Sequence, residues 1–78
     1  MNNINTIPNG FEGSMLEGYS CILTPKDVAK ILRIGNNSVY ELLNSGAIPN
    51  FRIGRKHKVR KIDLINYINN QINKPINL

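Results

Sequence analysis

From residue 23 onward the apolar positions recur first at helical spacing, then at strand spacing, then at helical spacing again. Val28, Ile31 and Leu32, with Ala29 beside them, form one face of a first helix, and Lys26, Lys30 and Arg33 fall on the other side. Thr24 suits the N-cap, Pro25 the first helical position, and Asp27 the third, where a short relative of the capping-box glutamate also favours the positive end of the helix dipole. The helix is expected to stop near Arg33, because Ile34-Gly35-Asn36-Asn37 sets turn formers in a row. Gly35 or Asn36 then caps a second helix that turns Val39, Leu42 and Leu43 inward. That helix ends at Asn44-Ser45-Gly46, with Gly46 as the left-handed residue after it.

Pro49 disfavours helix at Ile48, so the chain leaves in an extended direction. Phe51 and Ile53 alternate with Arg52, Gly54-Arg55-Lys56 reads as a turn, and His57 and Val59 alternate with Lys58 and Arg60. A three-residue loop places Ile53 opposite His57 and Phe51 opposite Val59 on the core side, leaving Arg52, Lys58 and Arg60 on the outer face. A two-residue loop puts Phe51 opposite Lys58 and breaks this sorting. Side-chain sorting therefore favours the longer loop, whereas Gly54 at the first loop position is more usual in the shorter, and the turn type stays open. A third helix follows from about residue 62 to 73, with Leu64, Ile65, Ile68 and Ile72 inward, Tyr67 alongside and Asp63 in the first turn.

Residues 1–22 are rich in Asn, Gly and Ser and show neither period, which reads as a flexible N-terminal arm. Residues 74–78 read as a short tail after the Lys74-Pro75 stop. The domain is then residues 23–73, and its class is mainly α with a small β-hairpin: helix-turn-helix, two-stranded basic wing, C-terminal helix.

Charge sharpens this picture. The net charge is +5, and six of the ten Lys and Arg crowd into the ten residues 52–61, while the first 22 residues hold only Glu12 and Glu17. A focused basic element with no evident balancing acid points to a polyanion. The single cysteine, Cys21, cannot form an intrachain disulfide, so a disulfide scaffold is excluded. The N-terminus shows no basic region followed by an apolar run, and no apolar stretch approaches the roughly 18 residues of a membrane span, so the cytoplasm is the expected compartment. One histidine, one cysteine and no paired acids give no catalytic or metal-binding constellation; neither an enzyme nor a cofactor is expected.

The second helix of such a unit fits the major groove of double-stranded DNA, with its N-terminal residues at the base edges. Those are Asn36, Asn37 and Ser38 and, one turn on, Tyr40 and Glu41; Asn36 divides between cap and contact. Asparagine amides suit adenine, and Glu41 can accept from cytosine. Arg55 and Lys56, beside Gly54 at the wing tip, are placed to reach phosphates or the minor groove, with Arg52, Lys58 and Arg60 tracking the backbone. Thr24 and Lys26 at the start of the first helix are further phosphate contacts, and His57 is read as packing or touching phosphate. About five phosphate contacts give a slope of log K against log salt of roughly −4 to −5. A module of this size buries only on the order of 600–1,000 Å² on DNA, so tight binding needs cooperative self-association or a protein partner.

Taken together, the Leu-Thr start, Val28-Ala29 with Leu32, Ser38-Val39-Tyr40, Ser45-Gly46, Ile48-Pro49, Arg52-Ile53-Gly54-Arg55 and Asp63-Leu64 resemble the excisionase-type helix-turn-helix DNA-binding domain, related to the MerR-type winged helix. The resemblance implies a recognition helix in the major groove, a wing on the adjacent groove, and an accessory role in prophage or transposon excision, where such proteins bend DNA and steer an integrase or recombinase. It equally admits a small transcriptional regulator. A protein-interaction module docking on a recombinase, without DNA specificity of its own, is the alternative from a different class. Arg33 stands where that family often has Gly, so Gly35 is expected to shape the turn instead. His57 stands where a larger aromatic is common, so a looser wing is expected.

Overall fold

The computed structural model describes residues 16–73. The order is β1 (Ile22–Leu23), α1 (Pro25–Leu32), α2 (Asn36–Asn44), β2 (Phe51–Ile53), β3 (Lys56–Arg60) and α3 (Lys61–Ile72). It is a mainly α domain with a small antiparallel sheet, consistent with a winged helix-turn-helix.

The start of α1 follows from its local sequence. Thr24 Oγ1 accepts from the Asp27 N–H at 3.1 Å, and Asp27 Oδ2 accepts from the Thr24 N–H at 3.0 Å, a complete capping box before Pro25. The end of α1 differs from expectation. Arg33 itself takes the left-handed conformation, φ 59°, while Gly35 stays extended at φ −74° as N-cap of α2. The Ile34 N–H reaches back to Ala29 O at 3.1 Å, the six-to-one bond of a Schellman motif. Ile34 packs against the core, so burying it fixes the chain reversal one step after Leu32 and forces Arg33 into that region.

Val28, Val39 and Leu43 pack together where α1 crosses α2, and Leu23, Ile48, Val59, Leu64, Ile65 and Leu16 complete the core. Burying each of the larger aliphatic side chains contributes roughly 1.5–3 kcal/mol. Ile48 is fully buried, although the sequence shows it only as part of an extended exit; its N–H caps Leu42 O at 3.2 Å. Ile72, expected inward, is 45% exposed, because α3 has run past the core in its last turn.

The sheet has the order β1-β3-β2, with Leu23 opposite Val59 and Ile22 opposite Arg60. In the hairpin, Ile53 faces Lys56, Arg52 faces His57 and Phe51 faces Lys58, so the loop is two residues, Gly54-Arg55, and not three. Gly54 has φ +65°, and Arg55 is not among the positive-φ residues, the sign pattern of a type II′ turn. The slip by one moves Phe51 and Ile53 to the face of Lys56, Lys58 and Arg60, where they are 40% and 62% exposed. Arg52 moves to the His57 face. The physical reason is that every residue of β2 is exposed, so burial has no hold on the register and the glycine turn decides it.

Of the arm expected over residues 1–22, residues 1–15 lie outside the described residues, as does the expected tail 74–78. Leu16 is buried, Tyr19 packs against the core and donates its N–H to Leu16 O at 2.9 Å, and Ile22 belongs to β1. A boundary at residue 23 therefore cuts through a strand. The Lys61 N–H, at the first position of α3, donates to Cys21 O at 2.7 Å. Among the described residues no helix is long and apolar enough to cross a membrane.

Candidate nucleic-acid interface

At 3.6 residues per turn, Val39 and Leu43 fix the inward side of α2. Asn37 and Glu41 stand two residues before and after Val39, which turns them directly outward. Asn36 and Tyr40 share one flank and Ser38 lies on the other; all five are exposed. Gly35 gives α2 no side-chain cap, so the first amides of the helix keep donors for an incoming oxygen.

The flank with Asn36 and Tyr40 faces the wing. Between them lies a cleft of about 420 Å³ lined by Thr24, Pro25 and Lys26 from the start of α1, Asn36 and Tyr40 from α2, and Arg55, Lys56, His57 and Lys58 from the hairpin. The fold thus brings together Thr24, Lys26, Asn36, Tyr40, Arg55, Lys56 and Lys58 of the residues expected to meet DNA. Asn37, Ser38 and Glu41 sit outside the cleft on the exposed surface of α2. Gly54 forms the turn, and Arg52 is exposed across the strand from His57.

Arg60 also has a partner within the chain. It is the N-cap of α3, and its Nε and Nη2 donate to both carboxylate oxygens of Asp63 at 2.7 and 2.9 Å. That hydrogen bonding, with the carboxylate's charge, holds the guanidinium above its ordinary pKa. The basic stretch therefore does have a balancing acid, placed in the first turn of the following helix.

The wing is fastened to α2 by residues the periodicity did not single out. Asn50 Nδ2 donates to Leu43 O and to Ile48 O, each at 2.9 Å, and Asn50 Oδ1 lies 3.0 Å from His57 Nδ1. Only the amide's NH₂ end can serve two carbonyl oxygens, so its oxygen must face His57, and Nδ1 must carry the proton. The His57 ring also meets Tyr40 edge-on, with centroids 5.6 Å apart and planes at 66°. Asn50 thus caps the end of α2 and sets the wing's angle through one side chain. The only available signal was the need of a helix end for donors to its last carbonyls. The looser wing expected from the smaller ring at position 57 is countered by these contacts.

Among the described residues no group of three His, Cys, Asp or Glu could hold a metal ion. The chemistry on offer is cations, amides and helix-end N–H groups around a cleft, which is suited to phosphate oxygens and base edges.

Comparison with known proteins agrees with this chemistry. A family model described as a helix-turn-helix domain matches residues 22–72, without a specific link to the MerR type. A protein of Bacillus subtilis (strain 168) carrying the name "Uncharacterized protein YvgK" is 35% identical over 54 residues, 68% of this chain and 18% of that protein. The chain thus spans less than a fifth of that relative. No solved structure matches significantly. The family match covers every strand and helix from β1 to α3, and the chain belongs to the helix-turn-helix domain family.

Proposed function

We propose that the protein reads a specific DNA site as an accessory factor of excisionase type, directing site-specific recombination of a mobile element. The cleft carries this reading: recognition-helix residues Asn36 and Tyr40 face wing cations Arg55, Lys56 and Lys58 across one gap, with Lys26 at its rim. Asn37 and Glu41 supply base readout from the outward side of α2, and the wing holds the adjacent backbone. The residue resemblance to excisionase-type domains supplies the recombination role, with an integrase or recombinase as protein partner and cooperative self-association on the site. With Arg60 tied to Asp63, the four cations of the cleft give a slope of log K against log salt of about −3.6. The combined Arg55→Ala and Lys56→Ala change should flatten that slope by roughly 1.8 in an anisotropy titration. An unaltered slope would remove the wing from the interface. Circularly permuted duplexes run in gels test the bending that an excision factor needs; equal mobilities would favour a small transcriptional regulator.

A second reading draws on the relative, of which this domain matches only 18%. There the matched segment is a minor part of a longer chain, the arrangement of a DNA-reading module joined to further segments.

A further inference from the structure

We infer that His57 is itself a DNA-contacting residue, which seats a backbone phosphate oxygen on Nε2 and takes up a proton to do so. The inference rests on the DNA-binding reading of the cleft and adds a residue to it. Asn50 occupies Nδ1 and fixes that nitrogen as the protonated one. In the neutral ring Nε2 is then a bare acceptor, and among the described residues it has no protein partner. The ring lines the cleft, and its plane is held by the edge contact with Tyr40.

The charged and titratable groups around the ring identify the occupant. Lys26 comes from the start of α1, Tyr40 from α2, and Arg55, Lys56 and Lys58 from the wing, with Arg52 directly across the strand. Among the described residues no carboxylate lines the cleft. The acceptor for an Nε2–H is therefore none of the described side chains, and a gap ringed by cations selects an anionic oxygen such as a DNA phosphate. A phosphate oxygen only accepts, so the contact needs a proton on Nε2. Nδ1 keeps its own proton and its bond to Asn50, and the ring becomes an imidazolium in a charge-assisted pair.

The chain has a single histidine, so the ring nitrogens of the full, tag-free labelled protein need no assignment. Long-range ¹H–¹⁵N spectra of the free chain should show Nδ1 protonated and Nε2 bare at about pH 8, and adding duplex DNA at about pH 7 should move Nε2 into the protonated range. In parallel, anisotropy titrations at about pH 6 and pH 8 should give a salt slope steeper by about 0.9 at the lower pH, one extra neutralised phosphate. His57→Gln should show the same slope at both pH values. The inference is overturned if DNA binds while Nε2 stays unprotonated, or if His57→Gln keeps the full pH dependence of the slope. Failure of the wild-type chain to bind any duplex would overturn the DNA-binding reading and this inference together. The spectra of the wild-type protein decide the matter even if the variant does not fold.

Discussion

Replacing Asn50 by Ala removes three hydrogen bonds at once: two donated to Leu43 O and Ile48 O, and one accepted from His57. Each is part-buried, and a bond of this kind contributes about 1 kcal/mol net. Leu43 O keeps donors from Ser45 and Gly46, so it is not orphaned, whereas Ile48 O loses its side-chain donor. Counting the bonds to Ile48 O and His57 in full and leaving out the one to Leu43 O, which keeps other donors, the loss is about 2 kcal/mol, a large share of the stability of so small a domain. In urea, with a slope near 1 kcal/mol per M, the midpoint should fall by about 2 M with the slope unchanged. Asn50→Asp separates the two halves of the network. It keeps an oxygen for His57 but turns a carboxylate toward two carbonyl oxygens, so it should destabilise at least as much as Ala at neutral pH. A loss below about 0.5 kcal/mol for Ala, or a fully stable Asp variant, would refute the account of Asn50 as the clamp between α2 and the wing.

Thr24→Ala breaks the capping box of α1 and should cost about 1 kcal/mol, seen as a fall in Tm of roughly 4–8 °C; no change would mean the cap is frayed in solution. Arg33→Gly should do the opposite, since relief of a left-handed residue, about 1–2 kcal/mol, outweighs the glycine's extra chain entropy of about 0.5–1 kcal/mol; a lower Tm would contradict the left-handed assignment. Ile53→Thr tests the hairpin register: at 62% exposure the change should stay within about 0.5 kcal/mol, whereas a loss of 1 kcal/mol or more would restore the three-residue loop and an inward Ile53.

The parts of this fold that are legible in the sequence are those decided by neighbours along the chain. Thr24, Pro25 and Asp27 specify the start of α1 without help from elsewhere, and Val39 with Leu43 identify the inward side of α2 by spacing alone. The hairpin register stays open in the sequence because the rule that sends apolar side chains inward presupposes a buried face. β2 has none, so the glycine turn set the pairing and left Phe51 and Ile53 outside. Leu16, in a short 3₁₀ turn, and Ile48, in irregular chain, lie where no period marks a core position. The site divides in the same way. The wing cations could be read as a cluster, but the pairing of Arg60 with Asp63 depends on where β3 becomes α3. The Asn50–His57 bond depends on the chain's path after Pro49, and neither has a signature in spacing.

The bond from the Lys61 N–H to Cys21 O ties the start of α3 to the residue just before β1, about 40 positions earlier in the chain. α3 has no side-chain N-cap, so one of its first amides is satisfied by a carbonyl that enters the fold before either of the other helices. Closing a loop of this length costs about 3 kcal/mol of chain entropy, and the cost is met only when the β1–β3 ladder and the core around Leu23 and Val59 form as well. Helix start and ladder are therefore made and lost together. A chain begun at Leu23 would keep the Leu23–Val59 pair but forfeit the acceptor for that amide, and whatever pulls on the segment before β1 loosens the front of the last helix.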